Sequence, residues 1–444
     1  MKSLSQEDIV QMVQEEDVEF IRLQFTDIFG NFRNLAVTSS QLSKILRNSV
    51  RFDGSAVEGF AEYGDSDIFL YPILGTFETF PWRPQQGKVA RLICDLYKAD
   101  GEPYEGDPRY ALRKATDHAK EMGYSIEVSP ACEFFLFNTD ENGQPTTNTS
   151  EQAGFFDMGP LDFGENARRD IVMTLEDMGF TVEGSHHEKA PAQHEIDFKS
   201  DEALYTADNL MTFKLAVRTI ARQHGLHATF MPKPRADVNG SGMHLYMQIM
   251  KDGRNILKDK EGTLGLSADA RYFIGGIMKH IKGITAVANP LVNSYKRLAP
   301  GFNAAEYVTW GGANRTTMVR VPTAIKADET RFELCSPDSA ANPYLTLALC
   351  IEAGLDGIRN QIEPPAPTTD NMNEMTDEKA KELGIDKLPD RLEDALDELE
   401  KDPVLVDALG SHIVTKYVQA KRKECERYQQ SISQWELDEY LLKY

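Results

Sequence analysis

Carboxylates and imidazoles crowd the segment SHHEKAPAQHEIDF, where Glu188 and Glu195 stand seven residues apart on either side of an Ala-Pro-Ala bend. His186, His187 and His194 cluster around these two acids. Such a set in an extended segment suits a hard divalent cation, Mg²⁺ or Mn²⁺, and its lack of thiolates argues against structural zinc. A polar surface strand has the same composition, so this segment alone leaves both interpretations open.

A third carboxylate belongs to the predicted strand SIEVSPACEFFLF. Because side chains alternate along a strand, Glu127, Ser129, Ala131 and Glu133 should share one face. A carboxylate among apolar residues is costly to bury unless it is paired or bound to a metal. We therefore predict a functional role for Glu133 and place Glu127 nearer the solvent end of the strand.

The motif VNGSGMH adds a histidine, His244, beside two glycines and an asparagine. Glycines let a ligand approach the backbone closely, and an imidazole is a candidate metal ligand. Taken alone the motif is weak, because a core histidine with satisfied hydrogen bonds is the commoner case.

Basic side chains gather in NSYKRLAPGF, ANRTTMVRVP and TRFEL, although the chain as a whole is acidic. They are Lys296, Arg297, Arg315, Arg320 and Arg331. Arginine forks match carboxylates and phosphates, and Glu333 lies two residues beyond Arg331 on the same strand face. An anion pocket beside a cation site is what metal-assisted phosphoryl transfer requires. We favour that interpretation over a set of surface ion pairs.

The elements that must position these residues fall into two parts. Residues 4–15 have the cap and apolar stripe of a helix, and EFIRLQFTDIFGNFRNLAV, interrupted at Gly30-Asn31, predicts a hairpin. SDIFLYPIL and KVARLICDLY predict a second extended pair, and the turn-rich segment GEPYEGDPR follows as a boundary. Because 444 residues exceed one compact core, we expect a small domain over 1–103 and a large one over 104–444.

The larger part alternates helices with extended segments, which is an α+β pattern. ALRKATDHAKEMGY predicts an amphipathic helix that ends at Gly123, and DEKAKELGIDKLPDRLEDALDELEKD predicts a solvated surface helix. The final segment QWELDEYLLKY is either a packed terminus or an arm that docks on a neighbouring subunit. Further helices are predicted over residues 165–178, 207–224, 267–284 and 340–360.

The composition excludes several classes of protein. A net charge of −22, from 48 basic and 70 acidic side chains, argues against sequence-independent nucleic-acid binding. Five scattered cysteines without a C-x-x-C pair suit a reducing compartment. The segment MKSLSQEDIV lacks the apolar region of a signal peptide, and no apolar run approaches the ~20 residues of a membrane-spanning helix. We therefore expect a cytoplasmic protein with no nucleic-acid or membrane partner.

Six segments, in the same order along nearly the whole chain, are similar to the signature blocks of bacterial type I glutamine synthetase. They are FDGSAVEGF, SHHEKAPAQHEID, HGLHATFMPKP, VNGSGMH, NPLVNSYKRLAPG and AANPYLTLALCIEAGLDGI. The chain most resembles the shorter alpha form of Gram-positive bacteria, because it shows no counterpart of the adenylylation-site tyrosine segment.

The resemblance implies an α+β fold with an N-terminal β-grasp domain and a catalytic domain built on a curved antiparallel sheet. It also implies a dodecamer of two hexameric rings with active sites between adjacent subunits. ATP would phosphorylate glutamate, and ammonia would displace phosphate from γ-glutamyl phosphate, with Mg²⁺ or Mn²⁺ as the cofactor. Direct contact with nitrogen-regulatory proteins is a further implication.

The resemblance assigns roles to the matching residues. The first cation would be bound by Glu133, Glu188 and Glu195, and the second by His244 and Glu333. Glutamate would be held by Asn239, Gly240, Arg297 and His244. Nucleotide and phosphates would be contacted by Glu183, Arg315, Arg320 and Arg331. The catalytic groups would be Asp53 of a neighbouring subunit, which helps deprotonate ammonium, Arg315, and the flap position Asn303.

The sequence departs from the family pattern at three active-site positions and at one position of feedback inhibition. The family strand G-P-E-x-E-F-F reads SPACEFF here, which puts Ala131 in place of a second-cation carboxylate. The flap P-G-Y-E-A-P reads PGFNAA, so Asn303 replaces the flap glutamate. The strand R-x-E-x-R ends at Cys335 where the family has an active-site arginine, and Glu62 stands where the alpha form has an arginine of feedback inhibition.

Three hypotheses about activity therefore stay open. The chain is an authentic glutamine synthetase in which Glu306 replaces the flap carboxylate, or a γ-glutamyl ligase for another amine or acid, or a catalytically weak paralogue that binds ligands or partner proteins. The first cation site and the glutamate pocket look intact, so the losses concern phosphoryl transfer and ammonia capture. We expect impaired or altered glutamine formation.

Overall fold

The computed structural model of the chain describes residues 3–61, 66–299 and 304–444. Within these ranges the strands are β1 (Val18–Thr26), β2 (Phe32–Thr38), β3 (Arg51–Asp53), β4 (Asp67–Pro72), β5 (Glu78–Thr79), β6 (Lys88–Tyr97), β7 (Ser125–Asn138), β8 (Val182–His187), β9 (Gln193–Phe198), β10 (Asp201–Glu202), β11 (Leu226–Thr229), β12 (Met243–Lys251), β13 (Arg254–Asn255), β14 (Trp310–Gly311), β15 (Val319–Arg320) and β16 (Phe332–Leu334). The helices are α1 (Gln6–Glu15), α2 (Leu42–Leu46), α3 (Pro108–Glu121), α4 (Glu165–Asp177), α5 (Ala203–Gln223), α6 (Ala268–Ala288), α7 (Ser294–Arg297), α8 (Pro343–Asn360), α9 (Asp377–Leu383), α10 (Leu392–Lys401), α11 (Pro403–Leu409), α12 (Ser411–Gln429) and α13 (Gln434–Tyr440).

A six-stranded sheet forms the N-terminal part, in the order β2-β1-β6-β4-β3 with β5 also paired to β6. Strands β1 and β6 are parallel, and the other pairs are antiparallel. The β1–β2 turn is held by Asp27, whose Oδ1 accepts hydrogen bonds from the backbone N–H groups of Phe29 and Asn31. Gly30 adopts φ +80° in this turn. The predicted hairpin and the predicted first helix, which is capped by Ser5, are both confirmed.

A ten-stranded sheet carries the rest of the fold, in the order β14-β15-β16-β12-β7-β9-β8, with β10 and β11 paired to β7 and β13 to β12. The pairs are antiparallel except for the parallel pair β14–β15. Strand alternation gives the sheet two different faces. On one of them, Phe134 of β7 packs edge-on against Phe213 of α5, and Phe332 of β16 packs against Phe273 of α6. Helices therefore cover the apolar face and leave the polar face to the site.

Helices α6 and α8 pack backbone to backbone behind this sheet. A Cβ on Gly357 would lie 1.9 Å from the carbonyl oxygen of Tyr272, and one on Gly276 would lie 2.0 Å from that of Ala353. Only glycine permits this approach at either position. Among the described helices, none combines the length and apolar character that a bilayer-spanning helix needs.

The predicted helices appear close to their expected bounds, although α5 begins four residues earlier than expected, at Ala203. The acidic stretch is the clear correction. It forms two helices, α9 and α10, and α10 buries Leu392, Leu396 and Leu399. The prediction of a solvated surface helix was wrong for α10, because its leucines recur at helical spacing behind the acidic face.

The hairpin of the N-terminal sheet lies against the start of α8. Asn342 caps α8 by accepting hydrogen bonds from the N–H groups of Tyr344 and Leu345, and its amide donates to the carbonyl oxygens of Asp27 and Ile28 at 3.1 and 3.3 Å. One side chain thus caps a helix of the large part and donates hydrogen bonds to the backbone carbonyl groups in the turn of the small part.

Arg109, at the start of α3, connects three further elements through a buried ion network. Its Nη1 lies 2.6 Å from Asp95 Oδ1 on β6, and its Nε and Nη2 each lie 2.9 Å from a carboxylate oxygen of Asp208 on α5. The Tyr344 hydroxyl of α8 donates to the same Asp208 at 2.8 Å. Both Arg109 and Asp208 are almost completely buried, at 4% and 1% exposure.

The substitution Arg109→Met should destabilise the fold strongly, because Asp208 would remain buried without its cation. Breaking a buried pair costs about 3–5 kcal/mol, so the urea midpoint should fall by a corresponding amount. The matched control is Arg169→Met, whose ion pair on α4 is exposed and contributes about 1 kcal/mol at most. Equal losses of unfolding free energy in the two variants would contradict the prediction.

Candidate active site

The polar face of the ten-stranded sheet brings three carboxylates and an imidazole together, and we call this group the carboxylate cluster: Glu133, Glu188, Glu195 and His186. Glu133 of β7 stands directly opposite Glu195 of β9 in the antiparallel register, and His186 of β8 stands opposite Glu195 on the other side. Glu188 follows β8 immediately. His186 Nε2 lies 2.8 Å from Glu188 Oε1 and 3.7 Å from Glu195 Oε1.

The carboxylate cluster concentrates negative charge in a partly buried place. Burial, followed by the charge of Glu188, raises the pKa of Glu133 to about 7. Burial, together with the charges of Glu133, Asp197, Glu188 and Glu333, raises the pKa of Glu195 well above its usual range. Like charges directly opposite each other on neighbouring strands destabilise a sheet. A donor set of carboxylate oxygens arranged in this way fits a hard divalent cation, Mg²⁺ or Mn²⁺.

Glu133 is oriented by two donors that the sequence analysis did not identify. Its Oε2 accepts hydrogen bonds from the backbone N–H of Gly242 at 2.7 Å and from Gln193 Nε2 at 3.0 Å. Gln193 also donates to the carbonyl oxygen of Gly240 at 3.0 Å. The available signal was the spacing of two residues between Gln193 and Glu195, which places both side chains on one strand face.

A second group, the His-Glu-Cys cluster, lies on the other side of β7 and consists of His244 on β12, Glu333 on β16 and Cys335 directly after β16. A potential ligand atom of each residue lies within 4.8 Å of those of the other two. His244 Nδ1 is 2.7 Å from Glu333 Oε1, and Arg320 of β15 donates from Nε and Nη2 to Glu333 Oε2. Although burial raises the pKa of Glu333, the bonds from His244 and Arg320 lower it to about 2. Glu333 therefore stays charged without any metal.

Ala131, where the resemblance implies a carboxylate, lies between the two clusters. Its cross-strand partners are His244 on β12 and Asp197 on β9. The Oδ1 atom of Asp197 is buried and has no hydrogen-bond partner among the described residues. Burial raises the pKa of Asp197, whereas the nearby His186 lowers it. A methyl group thus occupies the position between an imidazole and a carboxylate.

The residues expected to hold glutamate lie beside the His-Glu-Cys cluster. A Cβ on Gly240 would lie 2.1 Å from the carbonyl oxygen of Pro232, so this position requires glycine. Arg297 of α7 is buried, and it donates from Nη1 to the Ser336 carbonyl oxygen at 2.9 Å and from Nη2 to that of Cys335 at 3.3 Å. Asn239 is half-buried beside Gly240.

The residues expected to contact nucleotide and phosphate are only partly brought together. Arg320 lies on Glu333, and the guanidinium of Arg331 lies 4.2 Å from the ring centroid of Tyr246 on the same sheet face. Arg315 is exposed in the loop between β14 and β15, and Glu183 is exposed on β8. Arg320 therefore contacts the His-Glu-Cys cluster directly, whereas Arg331 lies on the same sheet face against Tyr246.

The position expected to come from a neighbouring subunit makes its hydrogen bonds within its own turn. Asp53, at the end of β3, is exposed and accepts hydrogen bonds from the N–H and hydroxyl of Ser55 at 3.0 and 2.7 Å. Asn303 and Glu62 lie outside the described residues. Glu306, considered as a substitute for the flap carboxylate, has its Oε2 3.8 Å from Lys387 Nζ.

Two of the three histidines expected around the acids face away from them. His187 Nε2 lies 2.9 Å from Glu151 Oε1, and His194 Nδ1 lies 2.7 Å from Arg168 Nη1, on the apolar side of the sheet. Burial and the charge of Arg168 lower the pKa of His194 well below its usual range. The expectation was wrong for these two because strand alternation leaves only His186 beside Glu195.

Comparison of the sequence with models of known protein families gives two matches that together cover most of the chain. The family model described as "Glutamine synthetase, catalytic domain" matches residues 105–440, and "Glutamine synthetase, beta-Grasp domain" matches residues 17–99. The chain belongs to the glutamine synthetase family. The expected β-grasp domain and α+β catalytic domain are therefore confirmed, and the protein is an enzyme of the glutamate–ammonia ligase type.

Full-length relatives agree with this assignment. The chain is 54% identical over 444 residues to the glutamine synthetase of Clostridium saccharobutylicum, covering 100% of both chains. It is 49% identical over 444 residues to that of Staphylococcus epidermidis strain RP62A, covering 100% of this chain and 99% of the relative. These Gram-positive relatives confirm the expected branch of the family.

Solved structures give the same architecture. A GmaS/ADP complex is 33% identical, with a TM-score of 0.88 over 98% of this chain and 99% of that one. The Plasmodium falciparum glutamine synthetase is 24% identical, with a TM-score of 0.89 over 99% of each chain, and it supports the fold alone. The family depends on ATP and divalent metal ions and forms oligomers.

The substitution Glu195→Gln should distinguish the loss of fold stability that the carboxylate cluster causes from the stability that its bound cation restores. Without added metal, the melting temperature should rise, and the rise should grow with pH, because burial and the neighbouring acids raise the pKa of Glu195 whereas an amide is neutral without binding a proton. With Mn²⁺ at about 100 times its Kd, the wild-type protein should gain about 2.7 kcal/mol, and the variant should lose most of that gain.

Differential scanning calorimetry with and without Mn²⁺ measures both effects. Glu176→Gln, at an exposed position of α4, is the matched control and should leave both quantities unchanged. A full Mn²⁺-dependent gain in Glu195→Gln would exclude the carboxylate cluster as the cation site.

Proposed function

We propose that this glutamine synthetase-family enzyme joins ammonia to the γ-carboxylate of glutamate through γ-glutamyl phosphate at the expense of ATP, at a rate that its altered residues reduce. The observation that carries the proposal is the contrast between two neighbouring groups. The carboxylate cluster has its three acids, whereas the His-Glu-Cys cluster has Ala131 in place of an expected carboxylate. An intact cation site beside an altered one supports ligation at a reduced rate.

The chain's own groups supply the charge that phosphoryl transfer requires. In this reaction a γ-carboxylate oxygen of glutamate attacks the terminal phosphorus of ATP and ADP leaves, after which the amine attacks the acyl carbon and phosphate leaves. The bound divalent cations would neutralise the phosphate oxygens. Arg320 and Arg331, which lie on the polar sheet face against Glu333 and Tyr246, would bind those oxygens, and Arg297, Asn239 and Gly240 would hold the amino acid.

The three departures affect specific steps. Ala131 removes a ligand and a negative charge from the second cation site, which should weaken that ion's binding. Cys335 replaces an active-site arginine, and the loss of a guanidinium from a phosphoryl-transfer site costs about 10³–10⁵ in rate in comparable enzymes. Asn303 has an amide, which cannot accept the ammonium proton as a carboxylate general base does.

A different acceptor amine is the second candidate function. Cys335 is smaller than arginine and neutral, and it lies beside His244 and Glu333. The shorter side chain favours an acceptor amine larger than ammonia.

We also propose features of the assembly. Active sites between subunits of a dodecamer would use the exposed Asp53 as the neighbour's contribution. The aromatic end of the chain, with Trp435 63% exposed and Tyr444 100% exposed, would dock on another subunit. A division between residues 103 and 104 is supported by the interval between the two family matches. Five free thiols support a cytoplasmic location, where the enzyme would contact nitrogen-regulatory proteins.

The purified protein should form little or no glutamine from glutamate, ATP and ammonium. The physical reason is the combined loss of a cation ligand, a guanidinium and a general base. Glutamine is measured by chromatography, with a glutamine synthetase from one of the Gram-positive relatives assayed in parallel. Turnover equal to that of the relative would overturn this part of the proposal and support an authentic glutamine synthetase.

The triple change Ala131→Glu, Asn303→Glu, Cys335→Arg should raise glutamine formation, by roughly 10²-fold or more if the guanidinium contributes as in other phosphoryl-transfer sites. The control triple change Ala131→Gln, Asn303→Gln, Cys335→Met has similar size without the charges and should give no such gain. An equal gain in both would attribute the effect to packing.

An ATP-dependent phosphate-release screen over amines and acids, with Mg²⁺ and with Mn²⁺, identifies the acceptor. Phosphate release with glutamate and a larger amine, above that with ammonium, supports the second candidate. Ligand binding without phosphate release in any mixture would overturn the ligase proposal and leave a binding role.

A further inference from the structure

We propose that the His-Glu-Cys cluster binds a thiophilic divalent cation such as Zn²⁺ through His244, Glu333 and Cys335, instead of the hard cation expected at the second site. The proposal deepens the proposed function and rests on it, because it names the cation of that same site. Its evidence is the placement and chemistry of three side chains on neighbouring strands.

The register of two strands brings the three ligands together. Leu245 of β12 pairs with Leu334 of β16, so one step along this antiparallel pair places His244 opposite Cys335. Glu333 and Cys335 are two residues apart and share one strand face. With bonds of about 2.0–2.3 Å, tetrahedral zinc holds its ligand atoms about 3.3–3.8 Å apart. The 2.7 Å between His244 Nδ1 and Glu333 Oε1 would therefore lengthen, and the other separations, which are within 4.8 Å, would shorten by about 1.5 Å at most.

Neighbouring groups already orient the cluster. Arg320 occupies Oε2 of Glu333 and leaves Oε1 directed at His244, 2.7 Å from its Nδ1. A hydrogen bond of this kind holds a proton where a cation can bind both atoms. Arg297 donates to the carbonyl oxygen of Cys335 at 3.3 Å and fixes the backbone that carries the thiol. Supporting bonds of this type set ligand direction in metal sites.

The donor set favours a soft cation over a hard one. Hard cations take mainly oxygen ligands, and here Ala131 offers none while the cluster presents one nitrogen, one oxygen and one sulfur. Mixed thiolate, imidazole and carboxylate donors are typical of zinc, and three protein ligands with an open position are typical of catalytic zinc. Bound metal deprotonates a coordinating thiol. The residues therefore disagree with a magnesium site and agree with a zinc site.

The two clusters should then select different cations. The carboxylate cluster presents oxygen atoms from three acids and suits Mg²⁺ or Mn²⁺. The His-Glu-Cys cluster is the one place near it that adds sulfur, since among the described cysteines Cys335 alone belongs to a group of potential metal ligands. The arginine of the family carries a fixed positive charge at this position. Cys335 instead offers a thiolate that can bind a metal cation.

Cobalt titration of the metal-free, full-length protein tests the proposal, because Co²⁺ bound to a thiolate gives a near-ultraviolet charge-transfer band. We expect one equivalent of Co²⁺ per chain to produce this band and Zn²⁺ to abolish it by displacement. Cys335→Ser should remove the band and weaken Zn²⁺ binding by at least about 100-fold, by comparison with the 10–100-fold effect of supporting residues. Cys350→Ala, a buried thiol on α8 away from the site, should keep both.

Two further variants keep the outcomes distinct. His244→Asn should also remove the band, and melting temperatures establish that each variant is folded. Glu195→Gln should keep the band while Mn²⁺ binding to the carboxylate cluster falls. Absence of the band in the wild-type protein, or its survival in Cys335→Ser, would overturn the zinc site. A normal band in a protein that releases no phosphate from ATP would instead overturn the proposed ligase function alone.

Discussion

Glu133 and Glu195 face each other across adjacent antiparallel strands, and much of the catalytic domain serves to hold that unfavourable pair in place. The pairing follows from the register of β7 with β9. Burial raises the pKa values of both acids, and the charge of Glu188 adds to the rise at Glu133 while the charge of Glu133 adds to the rise at Glu195. Such a pair persists only where the surrounding fold prevents the strands from shifting, because a one-residue slip would turn every side chain to the other face.

The constraint on register comes from both sides of β7. On the apolar face, Phe134 packs against α5, so a slip would expose an aromatic ring. On the polar face, Glu133 accepts bonds from Gly242 and Gln193, which lie on or next to the two neighbouring strands. Packing behind the sheet and hydrogen bonds in front of it thus fix the same alignment. The packing of the core thus fixes the positions of the carboxylates, and a bound cation would offset their repulsion.

The two clusters balance charge in different ways. In the His-Glu-Cys cluster, His244 and Arg320 already neutralise Glu333, whose pKa is lowered to about 2. In the carboxylate cluster, His186 is the nearest described basic group to Glu188 and Glu195. The His-Glu-Cys cluster is therefore balanced in charge without a metal ion, whereas the carboxylate cluster keeps unbalanced negative charge until a cation binds. This difference explains why the loss of a carboxylate at Ala131 is compatible with an intact fold.

The sequence by itself determined the family, the two-part architecture and the strand face that carries Glu133, because signature motifs and period-two alternation are local properties of the chain. It also identified Ala131, Asn303 and Cys335 as departures. It did not separate His186 from His187 and His194, and it did not find Gln193 as the partner of Glu133.

Only the tertiary structure decided which residues stand opposite one another: Glu195 with Glu133, and Cys335 with His244. Strand register depends on contacts between segments far apart in the chain, and no local pattern encodes it.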